Sequence, residues 1–259
     1  MRRSKAILVV SFGTSHPDAL EKNIGAIENS VKEAFPGRVV RRAFTSGTVR
    51  KKIWERDHIR VDDVHEALER LLSENIFDVA VLPTHVIGGE EYEKIIAQCA
   101  ICASSFDRLR IGVPLLSSTE DFFRVIRILA RGFDCPRRDC ALVLMGHGSA
   151  TSANAAYAAM DYMFKQSGFF NVFVGTVQAY PKVDVVLEQV RHAGYRKAIL
   201  TPLMTVAGEH AGNDMAGSGG KSWKTIFEAA GISVTPVLRG LGEYPEIRSL
   251  YLEHLKAVL

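Results

Sequence analysis

No apolar run in this chain approaches the ~18–20 residues that a helix needs to cross a bilayer, so no membrane span and no membrane partner is expected. An excess of one charge is also missing. Lys and Arg number 32 against 29 Asp and Glu, a formal net charge of +3. No basic stripe stands out, so a nucleic-acid partner is not expected either. Cysteine is scarce: Cys99, Cys102, Cys135 and Cys140 are the whole set. Four thiols do not make a disulfide framework for 259 residues. The CxxC at Cys99 lies in the helical pattern "YEKIIAQCAICASSF", without a knuckle glycine, so reduced, partly buried thiols are expected rather than zinc. Nucleotide motifs are lacking as well. "GTS", "GHGS" and "GGEE" are glycine turns, but none is GxxxxGK[ST], and no GxGxxG follows the first strand. Ser149 is outside any GxSxG elbow, which argues against a hydrolase of that type. The start "MRRSKAILVVSFGTS" puts basic residues before an apolar run, as a secretory signal does. The run Ala6–Phe12 is short, however, and no small-residue cleavage site follows. It reads as a first buried strand in a cytoplasmic protein.

What is present is a large apolar fraction, 47%, enough for a substantial core. "KAILVVSF", "FDVAVLP", "CALVLM", "NVFVGTV" and "KAILTPLM" are short runs rich in Val, Ile and Leu, as parallel strands buried on both faces require. Helical patterns alternate with them at Asp18–Phe35, Asp62–Asn75, Asp184–Gly194 and Tyr244–Val258. The alternation predicts an α/β fold with parallel sheets. The chain also repeats itself. "KAILVVSFGTS" parallels "CALVLMGHGSAT", and "DVAVLPTHVIGGEEYEKI" parallels "KAILTPLMTVAGEHAGNDM". Pro83 matches Pro202, Gly89 matches Gly208 and Glu90 matches Glu209, all at one offset. Two similar α/β halves are expected, residues 1–135 and 136–259, joined near "GFDCPRRDC", with a cleft between them.

In open α/β sheets, ligands bind beyond the carboxyl ends of the strands. His147 follows "CALVLM", Gln178 follows "NVFV", and His210 follows "KAILTPLM". Neighbouring strands would let these three side chains converge. The other half offers Ser11, Phe12, Gly13 and Thr14 in "SFGTS", and Glu90 and Glu91 in "THVIGGEEYE". Two imidazoles from separate loops suit an open metal site with few protein ligands. Imidazole accepts Co²⁺, Fe²⁺, Ni²⁺ and Zn²⁺ alike, so ligand type does not select the metal. The glycines beside His147 are expected to let a large planar ligand approach the backbone.

The segments "ILVVSFGTS", "RRAFTSG", "THVIGGEEYEKI", "LMGHGS", "GTVQAYP" and "LMTVAGEHAGNDMAG" together resemble the anaerobic sirohydrochlorin cobalt chelatase family, relatives of ferrochelatase. The resemblance implies a class II chelatase of two flavodoxin-like halves, working without ATP or another nucleotide. Its reaction is insertion of Co²⁺ into sirohydrochlorin in anaerobic cobalamin synthesis. It implies a metal site of His147, Gln178 and His210. Because one imidazole lone pair does not hold a cation and take a proton at once, His147 is expected to be the base and a metal contact at different stages, with His210 the steadier ligand. The family's ligand glutamate falls at Gln178 here. Glu90 and Glu91 match the family's acidic loop, and Ser11–Thr14 are expected to line the tetrapyrrole cleft. Arg50, Lys51 and Lys52 are expected to attract the substrate's rim carboxylates. Iron or nickel as the inserted metal, a tetrapyrrole- or metal-binding protein without turnover, and a flavin-binding electron carrier are the competing readings. Homo-oligomerisation is left open by the sequence.

Overall fold

The computed structural model describes residues 4–133 and 139–259. Cys135 and the expected junction between residues 135 and 136 lie outside them. Two parallel sheets are present. The first holds β1 (Lys5–Ser11), β2 (Val39–Phe44), β3 (Asp78–Pro83) and β4 (Arg108–Ile111), in the order β2-β1-β3-β4. The second holds β5 (Cys140–Gly146), β6 (Val172–Thr176), β7 (Lys197–Pro202) and β8 (Ser233–Pro236), in the order β6-β5-β7-β8. Both follow the flavodoxin-like order 2-1-3-4. β1 and β5 are central and buried on both faces, which is why their sequences run apolar without alternation.

The helices form where the sequence punctuates them. Val64–Ser73 opens with a capping box: the Asp63 carboxylate accepts from the Glu66 N–H, and the Glu66 carboxylate accepts from the Asp63 N–H. Val64, Ala67, Leu68 and Leu71 then fall on one face and are buried. Each Leu contributes roughly 1.5–3 kcal/mol by leaving water.

The repeat is legible in the backbone. In the first sheet, the N–H of Thr45 donates to the Ser11 carbonyl and that of Ser46 to Phe12. In the second, Val177 donates to Gly146 and Gln178 to His147. Likewise Thr84 donates to Val10 as Leu203 does to Met145, and Leu115 to His85 as Leu241 does to Met204. Phe12 and Ser46 therefore stand where the second unit has His147 and Gln178. Continuing the sequence offset from Thr84 and Leu203, Glu91 corresponds to His210.

The units are not the sequential halves expected. One comprises the residues up to Leu115 together with Gly242–Leu259, and the other comprises Leu116–Leu241. The helix Thr119–Arg131 packs on Ala155–Gln166 of the second unit. The last helix, Pro245–Lys256, returns to pack on Ala26–Ala34 and β3 of the first unit. Tyr251 anchors it there, its buried hydroxyl donating to the Thr84 carbonyl at 2.8 Å. Among the described residues, no helix is long and apolar enough to cross a membrane.

Candidate metal centre

β5 lies between β6 and β7. The loops bearing His147, Gln178 and His210 thus leave adjacent strands at their carboxyl ends. The two imidazoles meet, with ring centroids 5.0 Å apart and planes at 71°. Both are partly exposed. The Nδ1 of His147 lies 3.0 Å from the Gly148 carbonyl. The Nδ1 of His210 lies 2.6 Å from Oδ2 of Asp214. A carbonyl and an ionised carboxylate only accept, so each Nδ1 carries its proton. The accepting lone pair of both rings is then on Nε2, the atom a divalent cation would meet. Gln178 is exposed, and its backbone N–H is held by the His147 carbonyl at 3.0 Å.

The glycines flanking His147 have a different use from the one expected. A Cβ on Gly146 would sit 2.1 Å from a Tyr157 ring carbon. A Cβ on Gly148 would sit 2.8 Å from the Ala179 nitrogen, and its φ is +91°. The space they leave is thus filled by the protein's own atoms rather than kept for a planar ligand. Tyr157 is fully buried, and its phenolic oxygen accepts from the backbone N–H groups of Gly148 and His147. Burial pushes that phenol up to about 12 despite these two donors. Tyr157 therefore clamps the His147 turn from beneath.

In the first unit, the acidic pair splits. Glu90 is exposed at the start of the helix Glu90–Cys102, where a carboxylate suits the helix dipole. Glu91 is half-buried beside His85 and Thr45. Burial pushes the Glu91 carboxyl up, but hydrogen bonds from Lys94 and Thr45 outweigh it and hold the group below its ordinary range. Its Oε2 is buried without a hydrogen-bond partner. His85 meets Thr45 Oγ1 through Nε2 at 3.5 Å, and burial pushes its pKa down to about 4, so it is neutral at pH 7.

Other expected residues are internal. Ser11 accepts from the Thr84 hydroxyl at 2.8 Å, and Thr14 accepts from the His16 N–H at 3.2 Å. Both are buried, and the space beside Gly13 is filled by Phe44. Within Ser11–Thr14, only Phe12 is exposed. Arg50 is committed to Glu66 at 2.7 Å and Asp63 at 3.1 Å, so it is not a loose cation awaiting a substrate carboxylate. Lys51 pairs with Glu55 at 3.6 Å. Cys99 and Cys102 are buried along their helix, and burial pushes the Cys99 thiol up to about 12.

The residues missed by sequence reasoning are Asp214, Tyr157 and Thr45. Asp214 follows His210 by four residues on one helical turn, a spacing that the sequence did display. Tyr157 carried no local signal, because its role depends on a glycine in another element.

A family model described as Cobalt chelatase (CbiK) matches residues 5–259. The chain belongs to the CbiK cobalt chelatase family. It is 45% identical over 255 residues to the sirohydrochlorin cobaltochelatase of Salmonella typhimurium strain LT2, covering 98% of this chain and 96% of the relative. It is 33% identical over 258 residues to the sirohydrochlorin cobaltochelatase CbiKC of Nitratidesulfovibrio vulgaris, covering 98% and 90%. The fold is also that of SirB from Bacillus subtilis with Fe³⁺, with a TM-score of 0.65 at 14% identity, covering 98% of this chain and 95% of the other. CbiX, the terminal enzyme of sirohaem biosynthesis in denitrifying bacteria, aligns with a TM-score of 0.56 at 17% identity, covering 98% and 100%. In this CbiK-family chain the paired imidazoles therefore belong to a metal chelatase.

Proposed function

We propose that this chain inserts Co²⁺ into sirohydrochlorin, in the cytoplasm and without a nucleotide, as a step towards cobalamin. The observation that carries the reading is the His147–His210 pair, with both Nε2 lone pairs available by tautomer on adjacent strand-end loops. Metallation replaces two pyrrole N–H protons with one divalent cation. A neutral imidazole can hold the cation or take a proton, but one lone pair does not do both at once. In this reading, His210 stays with the metal, its ring held through Nδ1. His147 contacts the metal early and accepts a proton once the cation has moved into the macrocycle. Glu91, half-buried and anionic, helps to move protons or metal, and Glu90 serves the helix start.

The test is to mix the protein with sirohydrochlorin and Co²⁺ or Fe²⁺ without oxygen, and to follow the absorption change of the macrocycle. Cobalt insertion well above the protein-free rate is expected. A rate equal to the protein-free control would overturn the reading and favour a binding protein without turnover. A faster rate with Fe²⁺ would assign the iron reaction. In the same assay Glu91→Gln should slow insertion with stability retained, and Glu90→Gln should leave the rate near wild type. Equal rates in both variants would remove Glu91 from the reaction.

Gln178 bears on how tightly the metal is held. An amide offers a carbonyl oxygen but no charge, whereas a carboxylate would offset part of a divalent charge. Gln178→Glu should therefore tighten Co²⁺ binding in the absence of tetrapyrrole by about tenfold, or ~1.4 kcal/mol. Calorimetric titration of both forms at fixed pH reads it. Equal affinities would mean that residue 178 does not touch the metal, leaving the two histidines as the ligand set.

A further inference from the structure

His210 begins an unusual turn. Ala211–Met215 is wound as a π-helix, with the Ala216 N–H donating to the Ala211 carbonyl at 3.1 Å. Such wide turns recur at functional sites. This one carries Asp214 back beneath His210, where Oδ2 reaches Nδ1 at 2.6 Å. The distance is that of a short, charge-assisted hydrogen bond. The contact is made on the face of the imidazole away from Nε2. We infer that Asp214 is a positioning residue for the chelation reaction: it fixes the tautomer and plane of His210, and lends negative charge to the ligand set through that ring. The inference rests on the assignment of His210 as a metal contact.

Three consequences follow from the chemistry. Without an acceptor at Nδ1, a neutral imidazole distributes its proton between both nitrogens, and part of the population presents an N–H to the metal. With the carboxylate in place, Nε2 is always the acceptor. A carboxylate on the far nitrogen also makes the ring a stronger donor, as in other carboxylate–histidine–metal arrangements. Finally, the second unit has a neutral amide at Gln178, so Asp214 supplies an anion that residue 178 does not. It does so through the imidazole ring, without touching the metal. That keeps the cation's own coordination positions open for the macrocycle nitrogens that must finally take it. The corresponding position in the first unit supports a division of labour: there Glu91, an acid itself, replaces the histidine.

The experiment compares full-length wild type, His210→Ala, Asp214→Asn, Asp214→Ala, and His210→Ala combined with Asp214→Ala. Two measurements are made with no tetrapyrrole: the calorimetric affinity for Co²⁺, and the ¹⁵N spectrum of the histidine side chains in the metal-free protein. A structural role would not move the second. Asp214→Ala is expected to weaken Co²⁺ binding by about 10- to 100-fold. It should also convert the His210 signal from an Nδ1–H tautomer to a mixture. Asp214→Asn keeps the shape and loses the charge, so it should weaken binding while thermal stability is kept. In the His210→Ala background, Asp214→Ala should have no further effect on affinity. Loss of binding in His210→Ala with wild-type affinity and tautomer in both Asp214 variants would overturn the inference alone. Additive losses in the double variant would overturn it too, by showing that Asp214 acts on the metal independently of the ring. Wild-type binding in His210→Ala would overturn both the inference and the metal assignment on which it rests.

Discussion

His147→Ala should leave Co²⁺ insertion into sirohydrochlorin at or near the protein-free rate, a loss of about 10²–10⁴-fold if its role is that of a general base. The residue combines two tasks at one nitrogen, and its neighbours do not take over the proton: in this reading the Nε2 lone pair of His210 stays with the metal, and Gln178 is an amide. His210→Ala should behave differently. Its loss weakens metal capture, so insertion should recover as Co²⁺ is raised, with half-saturation shifted by about tenfold or more for each ~1.4 kcal/mol of lost ligation. The comparison is made in initial rates against metal concentration at saturating tetrapyrrole. Full recovery of His147→Ala at high Co²⁺ would reduce that residue to a ligand. Wild-type rates at limiting metal in either variant would remove it from the mechanism. A third outcome, equal and unrecoverable loss in both, would mean that the rings act as one unit, as their 5.0 Å separation permits.

Gly146→Ala should be among the most damaging single-methyl changes in the chain. The added Cβ would stand 2.1 Å from a ring carbon of Tyr157, which is buried. Overpacking typically costs about 1–3 kcal/mol, and a clash with a clamped aromatic belongs at the top of that range or beyond it. The consequence extends past stability. Tyr157 accepts from the N–H groups of His147 and Gly148, so moving the ring releases the turn that aims the imidazole. Thermal unfolding and the insertion rate should therefore both fall. A double-variant cycle isolates the cause: in a Tyr157→Ala background, Gly146→Ala should cost far less than in wild type. Strict additivity would show that the clash is relieved elsewhere, and that Tyr157 does not hold the turn.

The structure also changes how acid should be read in the first unit. His85 and Glu91 are neighbours whose protonation is pulled apart. The imidazole is held neutral down to about 4 by burial, while hydrogen bonds from Lys94 and Thr45 keep the carboxylate ionised. The Glu91 carboxylate is paired with Lys94 through Oε1, and its Oε2 stays buried without a hydrogen-bond partner beside the neutral imidazole.

The sequence by itself determined the class of fold, the repeat and the strand-end placement of the two histidines. Strands such as Lys5–Ser11 and Cys140–Gly146 are buried on both faces, and a run of Val, Ile and Leu states that without reference to anything distant. The strand-end position of His147 and His210 follows from the same local reading, because chain order alone places a loop after a strand. Three strands escaped it. Val39–Phe44, Arg108–Ile111 and Ser233–Pro236 are sheet edges with part of their surface in water, and residues such as Arg41 and Arg110 interrupt the apolar signal. The division into units escaped it too, because the pattern of the last helix says that one face is buried but not against which sheet. Only the tertiary structure decided which glutamate turns inward, that Arg50 is already paired, and that the glycines around His147 make room for Tyr157 and Ala179. Periodicity and turn chemistry are properties of neighbours along the chain. The partner that fills a vacancy, or shares a proton with a ring, is chosen by packing between residues brought together only when the chain has folded.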